Sequence, residues 1–99
     1  MDDDQTAVVN NQQRMIRFFG TVQGVGFRWM ATRVAKSYDI SGYVRNCPDG
    51  TVECVAEGPG DQIDAFIADM QERMSGYIRK IQQQTAPASG QFESFTVRY

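Results

Sequence analysis

A glycine-rich loop that ends in an arginine is the first feature of this sequence that could do chemistry. Gly24 and Gly26 stand in the loop, and Arg28 follows at the start of a segment with helical periodicity. A helix start has unpaired N–H groups and a partial positive charge, so a cation placed there is unfavourable. A bound anion would reverse these terms, because the N–H groups, the helix dipole and the guanidinium would all attract it. The residues of this predicted anion site, called loop 23–28 below, are Gln23, Gly24, Val25, Gly26, Phe27 and Arg28.

A simpler interpretation of loop 23–28 is that its glycines only make a tight strand-to-helix turn and that Arg28 points into water. The familiar nucleotide-binding loops do not fit. A P-loop needs Lys followed by Ser or Thr after its last glycine, whereas Phe27 and Arg28 follow Gly26. A dinucleotide-binding fingerprint would require a small residue where Trp29 stands.

The elements that must position this loop are predicted from periodicity and turn signals. Apolar alternation predicts strands, and apolar residues at i, i+3, i+4 and i+7 predict helices. Asp61 suits the N-cap of the second helix, whereas the first helix has no capping side chain. The predicted strands cover residues 14–22, 43–46, 51–57, about 77–85 and 92–98, and the predicted helices cover residues 27–38 and 61–75.

The order of these elements is β-α-β-β-α-β with one further strand. This order predicts an α+β, ferredoxin-like fold, in which two helices lie on one face of an antiparallel sheet. Right-handed crossovers place the first and third strands in the middle of the sheet. The position of the extra strand stays open.

Asn46 is the second residue that could do chemistry, because this topology brings it close to loop 23–28. The first and second strands run parallel, so the end of the second strand lies at the sheet edge where the loop begins. The amide of Asn46 could accept a hydrogen bond from water and donate one to a substrate. The alternative is that Asn46 is a turn residue bonding its own backbone, which is the role expected for Asp49.

Composition excludes several classes of function. The chain has 99 residues and a net charge of −2, which becomes +1 when Asp2, Asp3 and Asp4 are set aside. It therefore lacks the basic field of nucleic-acid-binding proteins. A zinc site and a histidine-activated nucleophile both lack residues, since the chain has no histidine and only two cysteines, Cys47 and Cys54.

Patterning along the chain also predicts its organisation and location. Residues 1–13 are polar and open with acidic side chains, which predicts a disordered tail ahead of one domain at residues 14–99. No apolar run is long enough to span a membrane, and no signal peptide is visible. Both cysteines are expected to be reduced thiols, and the expected location is the cytoplasm.

Two segments resemble the signatures of the acylphosphatase family. Residues 20–28 (GTVQGVGFR) match the first signature. Residues 42–46 (GYVRN), with Gly50, Val52 and Gly58 at the expected intervals, match the second. The resemblance extends over about residues 14–99.

This resemblance implies the ferredoxin-like fold and a hydrolase that acts on acid anhydrides, cleaving acyl phosphates to carboxylate and orthophosphate. It implies that Arg28 and the amides of loop 23–28 bind the phosphoryl group and that Asn46 orients the attacking water. No metal or organic cofactor is expected. The expected partners are a small-molecule acyl phosphate and inorganic phosphate as the product, with no nucleic acid, no membrane and a monomeric chain.

The implied chemistry suits a chain without histidine, because a carboxylate leaves without a general acid and phosphoryl transfer relies on positioning and charge stabilisation. Two other functions stay open. An RNA-binding plait would need aromatic side chains on its central strands, and the predicted strand 51–57 has none. A phosphate-binding regulatory module would use the same loop without turnover.

Overall fold

The computed structural model describes residues 11–99, and the first strand explains where the core lies. Ile16 and Phe18 point to the same face of this strand and are fully buried, whereas the neighbouring Met15 points to the opposite face and is exposed. The elements in chain order are β1 (Asn11–Gly20), α1 (Phe27–Ala35), β2 (Ser41–Asn46), β3 (Val52–Pro59), α2 (Gly60–Arg73), β4 (Ile78–Pro87) and β5 (Phe95–Arg98).

The five strands form one sheet in the order β4-β1-β3-β2-β5. β3 pairs antiparallel with both β1 and β2, and β4 pairs antiparallel with β1. The predicted ferredoxin-like fold is confirmed, with the first and third strands in the middle. The extra strand, which the sequence left unplaced, is β5, and it adds a parallel pair with β2 at the edge of the otherwise antiparallel sheet.

Both helices pack against each other and against the same face of the sheet. Ala31 and Val34 of α1 and Phe66 and Met70 of α2 are buried there, at the spacing of one helical stripe. They meet the buried side chains of the sheet in a single core cluster. The helical periodicity therefore decides which side of α1 is left to face solvent and ligand.

The first helix begins without a capping side chain, as predicted, but the predicted N-cap of the second helix is wrong. Neither has a side-chain cap, and α2 begins at Gly60, one residue before Asp61. Asp61 therefore lies in the first turn of α2 and not at its N-cap, where it still complements the helix dipole. The first turn of α1 has no acidic residue, as the sequence indicated.

Three predicted boundaries differ from the structure by three residues, and the others differ by two residues or fewer. Residues 11–13 do not belong to the tail, because Asn11 pairs with Pro59 and Gln12 pairs with both Gly58 and Pro87, which makes them part of β1. Residues 1–10 of the predicted tail lie outside the described residues. Helix α1 ends at Ala35 and not at residue 38. The chain continues in turns, in which Tyr38 N–H donates to Ala35 O. Tyr38 therefore follows the apolar periodicity of the helix although it lies outside it.

The third of these boundaries is the start of the last strand, which begins at Phe95 and not at residue 92. Residues 88–94 join strands at opposite edges of the sheet and contact the face opposite the helices. The Glu57 carboxylate accepts hydrogen bonds from Ser89 N–H and Oγ and from Gly90 N–H. The ring of Phe92 lies 6.0 Å from the ring of Tyr43. This crossing segment positions β5 beside β2.

Cys47 and Cys54 are buried free thiols. Burial in the core is the main cause that raises the pKa of the Cys54 thiol far above its ordinary value. Within residues 11–99, neither helix is long and apolar enough to cross a membrane.

Candidate active site

Three strand ends meet at one edge of the sheet. Both β1 and β2 run antiparallel to β3, and β5 runs parallel to β2. The ends of β1, β2 and β5 therefore lie on the same side, with loop 23–28 after β1, Asn46 as the last residue of β2, and Tyr99 after β5. The sheet topology thus brings together the two candidate sites that the sequence singled out.

A cavity of about 300 Å³ opens at this edge. It is the meeting point of loop 23–28, the start of α1, the end of β2 and the end of β5. Arg28 and Asn46 both line it, which places the two predicted site residues in one space. The full lining consists of Val22, Gly24, Gly26, Phe27, Arg28, Trp29, Thr32, Asn46, Val97 and Tyr99.

The glycines of loop 23–28 set its backbone conformation. Gly24 has φ of 78° and Gly26, the N-cap residue of α1, has φ of 77°. A Cβ at either position would meet no atom within 4 Å, so the backbone angle and not crowding favours glycine there. Among residues 11–99, no backbone carbonyl accepts a hydrogen bond from the N–H groups of residues 23–28. These donors are available to a ligand, as the N-terminus of a helix requires for anion binding.

Arg28 stands in the first turn of α1 and its side chain is partly exposed. Its guanidinium carbon lies 5.0 Å from the ring centroid of Tyr99. No carboxylate of residues 11–99 forms a salt bridge with it, whereas Arg17 and Arg45 both pair with Glu53. Within the part of the chain described, Arg28 is therefore the cation at this cavity whose charge is not balanced by an acid.

Asn46 is the last residue of β2, where it pairs with Val52 of β3. The turn that follows is closed by other groups: Gly50 N–H donates to Cys47 O, and Cys47 N–H donates to Thr51 O. The Asn46 side chain makes no hydrogen bond to this turn. The alternative interpretation of Asn46 as a turn-stabilising residue is therefore not supported by the geometry.

Asp49 is the side chain that stabilises this turn, as predicted. Its Oδ1 accepts hydrogen bonds from Thr51 N–H at 3.0 Å and from Thr51 Oγ at 2.6 Å. The hydroxyl bond is the main cause that holds the pKa of Asp49 below its ordinary value. The carboxylate of Asp49 is therefore used within the turn. Because Asp49 does not line the cavity, it is not a candidate general base.

Gln23 lies at the junction between loop 23–28 and the hairpin. Its Nε2 donates to Cys47 O at 2.7 Å and to Thr51 O at 2.9 Å. Both donors of the side-chain amide are thereby used within the protein. Gln23 does not line the cavity, although the sequence grouped it with the anion-binding residues.

Five lining residues were missed by sequence reasoning: Val22, Trp29, Thr32, Val97 and Tyr99. Thr32 follows Arg28 by four residues and Trp29 by three, so helical spacing from Arg28 was a usable signal for it. Val97 and Tyr99 could not be found, because their strand had no assigned place in the sheet. Across residues 11–99, no cluster of three or more His, Cys, Asp or Glu side chains could hold a metal ion.

Comparisons with known proteins agree with this geometry. The family model described as Acylphosphatase matches residues 14–97. An acylphosphatase of Methanospirillum hungatei is 42% identical over 81 residues, covering 80% of this chain and 88% of the relative. The crystal structure of acylphosphatase from Bacillus subtilis is similar with a TM-score of 0.80 and 28% identity, covering 89% of this chain and 99% of that chain.

A further similar structure is a larger protein, full-length HypF in its phosphate- and nucleotide-bound form. The TM-score is 0.76 and the identity 28%, over 93% of this chain but only 12% of HypF. The chain described here belongs to the acylphosphatase family, whose members are hydrolases acting on acyl phosphates.

Proposed function

We propose that this protein hydrolyses the carboxyl–phosphate bond of acyl phosphates without a metal ion, using loop 23–28 to hold the phosphoryl group and Asn46 to orient water. The observation that supports this assignment best is that Arg28 and Asn46 line the same cavity as Gly24 and Gly26. The Arg28 guanidinium, backbone N–H groups of the loop and the side-chain amide of Asn46 thus lie around one cavity of about 300 Å³.

The phosphoryl group is held by three effects that act at the same place. Free N–H groups of residues 23–28 donate to its oxygens, the dipole of α1 attracts its charge, and the Arg28 guanidinium forms charge-assisted hydrogen bonds. The unfavourable position of Arg28 at a helix N-terminus becomes favourable when the dianion is bound.

The attacking water is oriented by the Asn46 side chain, which is uncommitted to the neighbouring turn. Its carbonyl oxygen accepts a hydrogen bond from the water, and the water oxygen attacks phosphorus as the bond to the carboxyl oxygen breaks. The carboxylate departs with the bonding electrons, and a phosphate oxygen takes the proton that the water loses. Neither step requires a histidine, of which the chain has none.

Positive charge for the transition state comes from the protein itself in this proposal. The loop amides and Arg28 stabilise charge on the equatorial oxygens, which is the main requirement of phosphoryl transfer. A carboxylate is a stable leaving group, so no general acid is required. Because the loop amides and Arg28 supply the positive charge and the leaving group needs no acid, this mechanism requires no metal ion.

Gln23 acts through its neighbours in this proposal, because its side-chain donors are used by the carbonyl groups of Cys47 and Thr51. Only its backbone remains with the phosphate-binding amides. We assign its side chain a positioning role that fixes the distance between the phosphate and the water held by Asn46.

The experiment that tests the function is hydrolysis of benzoyl phosphate by the purified protein in EDTA, with Arg28→Ala assayed in parallel. We expect turnover in the wild type that EDTA leaves unchanged and that the variant lacks. A folded wild type that binds phosphate without turnover would instead identify the regulatory, phosphate-binding module. Activity restored only by added metal would contradict metal independence.

We further propose that the enzyme works as a monomer in the cytoplasm and binds neither nucleic acid nor membranes. The two buried free thiols suit a reducing compartment. A mass measured by light scattering that matches 11.2 kDa supports the monomer, and a dimer mass contradicts it. Cell fractionation decides the location, and RNA and vesicle binding assays at physiological salt decide the remaining partners.

A further inference from the structure

The residues that line the cavity are of two kinds, and the proposed function uses only the first kind for the phosphoryl group and water. Gly24, Gly26, Arg28 and Asn46 supply polar or backbone groups, whereas the apolar side chains, called the apolar wall below, are Val22, Phe27, Trp29, Val97 and Tyr99. A volume of about 300 Å³ is at the lower limit of pockets that enclose whole small molecules, so it has room beyond a phosphoryl group. The acyl part of a substrate must lie in this remaining space.

Trp29 is the largest side chain of the apolar wall, and it is 61% exposed. A single exposed apolar side chain is ordinary on a protein surface, so exposure alone assigns no role to Trp29. Its position in the lining of the cavity that also contains Arg28 is what singles it out. Among residues 11–99, the other large apolar side chains that are exposed are Met15, Tyr77 and Tyr99. Of these, only Tyr99 also lines the cavity. Trp29 therefore presents an exposed aromatic surface directly beside the phosphate-binding arginine.

The side chain of Trp29 has one contact within α1. The hydroxyl of Thr32 donates to the backbone carbonyl of Trp29 at 2.8 Å, which fixes the Thr32 side chain and leaves the indole uncommitted. The guanidinium carbon of Arg33, one turn further along, lies 5.3 Å from the indole centroid. This cation–π contact engages the ring without burying it. The indole therefore remains exposed in the lining of the cavity, where an acyl group joined to the phosphoryl group could reach it.

We propose that Trp29 forms an acyl subsite that favours acyl phosphates with a planar, aromatic acyl group over those with a small aliphatic one. This inference rests on the proposed function, because it takes loop 23–28 as the phosphoryl site. Stacking of an acyl ring on an indole is worth about 2- to 10-fold in affinity, from typical aromatic pair energies. Tyr99 also lines the cavity, but its ring faces the Arg28 guanidinium, so the preference is assigned to Trp29.

The kinetic test compares benzoyl phosphate with acetyl phosphate in wild type, Trp29→Ala and Trp29→Phe. We expect Trp29→Ala to raise KM for benzoyl phosphate about 2- to 10-fold relative to KM for acetyl phosphate. Inhibition by inorganic phosphate should stay unchanged, and Trp29→Phe should restore most of the preference. Met15→Ala removes an exposed apolar side chain away from the cavity and serves as the matched control.

A second measurement needs no turnover, because Trp29 is the only tryptophan of the chain. Its fluorescence in the wild type is titrated with benzoylphosphonate, acetylphosphonate and inorganic phosphate, which are not hydrolysed. We expect saturable quenching by benzoylphosphonate that clearly exceeds the changes caused by the other two compounds.

The outcomes separate this inference from the proposed function. If wild type hydrolyses both substrates but Trp29→Ala changes both KM values equally, or neither, the acyl subsite is wrong and the proposed function stands. If all three compounds give the same fluorescence change, the subsite is also wrong. If wild type hydrolyses neither substrate and binds no phosphate, the proposed function itself fails.

Discussion

The side-chain nitrogen of Gln23 lies 2.7 Å from the carbonyl oxygen of Cys47, the residue that follows Asn46 in the chain. The same nitrogen donates to Thr51 O at 2.9 Å, on the opposite side of the hairpin turn. One glutamine therefore connects loop 23–28, proposed to hold phosphate, to the hairpin whose Asn46 is proposed to orient water. These two hydrogen bonds, together with the sheet, fix the position of the loop relative to the hairpin.

Replacing Gln23 by Leu should lower both stability and turnover. The free energy of unfolding should fall by about 1–2 kcal/mol, because two hydrogen bonds to hairpin carbonyls are lost. Turnover should fall about 10-fold or more, because small displacements between water and phosphorus are costly. Urea unfolding and steady-state kinetics measure the two effects, with Gln62→Leu, which removes one hydrogen bond far from the cavity, as the control. Lost stability with wild-type kcat would restrict Gln23 to a role in folding.

Replacing Arg28 by Ala should abolish most activity and leave the ligand-free protein as stable as before, or slightly more stable. The loss in kcat/KM should be at least ~10²–10³-fold, as for one oxyanion-hole donor. Removing a cation from the positive end of α1 should stabilise the free protein by up to about 1 kcal/mol. Kinetics and urea unfolding without phosphate measure these opposite effects.

Phosphate provides a second, independent check on Arg28. A ligand at one hundred times its Kd stabilises a folded protein by about 2.7 kcal/mol, so inorganic phosphate should raise the wild-type free energy of unfolding. Arg28→Ala should lose most of this gain, whereas Arg79→Ala, which removes an exposed charge outside the cavity, should keep it. Equal stabilisation of wild type and Arg28→Ala would show that phosphate binds elsewhere.

Replacing Asn46 by Ala should reduce turnover strongly and change phosphate binding little. The side chain is proposed to hold the water and not the phosphoryl group, so kcat should fall by about 10²-fold while the inhibition constant of phosphate stays within about 3-fold. Inhibition kinetics with benzoyl phosphate distinguish the two constants. A variant with wild-type turnover would show that Asn46 has no part in catalysis.

Glu57 should make the protein sensitive to acid. Burial raises the pKa of its carboxyl, but hydrogen bonds from Ser89, Gln13 and Gly90 outweigh burial and hold the pKa below its ordinary value. Because the folded-state pKa is lowered, the stabilisation is complete above the unfolded value of about 4.3 and is lost as pH falls below it. Unfolding free energies measured between neutral pH and strongly acidic pH should show this decline.

The Glu57→Gln variant isolates this contribution. The substitution replaces one carboxylate oxygen by an NH₂ group, which faces the N–H and hydroxyl donors of Ser89 and Gly90. The free energy of unfolding at neutral pH should therefore fall by about 1–3 kcal/mol. The decline of stability at acidic pH should be shallower than in the wild type, while Glu72→Gln, an exposed substitution on α2, should leave the wild-type profile unchanged. Parallel acid profiles for wild type and Glu57→Gln would contradict the assignment.

Much of the fold could be predicted because its signals are local. The apolar stripes of both helices and the alternation in β1 are encoded by neighbouring residues, and the crossover rule then orders four strands. Capping was less predictable: Asp61 has the right side chain for an N-cap, but Pro59 and Gly60 start the helix one residue earlier. The place of β5 could not be predicted, because its parallel pairing with β2 is a long-range contact without a sequence signal.

The candidate site was also predictable only in part. That Gly24, Gly26 and Arg28 belong to one candidate site was predictable, because an uncapped helix start with a cation is unfavourable unless an anion is present. Asn46 was predictable only through topology, which brings the end of β2 to that edge. The side-chain bonds of Gln23 and the apolar wall beside Trp29 depend on tertiary geometry, and no spacing rule reaches them.

The parallel pairing of β2 with β5 also links completion of the cavity to folding. Val97 pairs with Val44 of β2, and it lines the cavity together with Tyr99. Loop 23–28 and Asn46 alone therefore do not complete the cavity, because β5 must also dock beside β2. In a refolding experiment, recovery of activity would report this docking, whereas a spectroscopic signal of chain collapse would not.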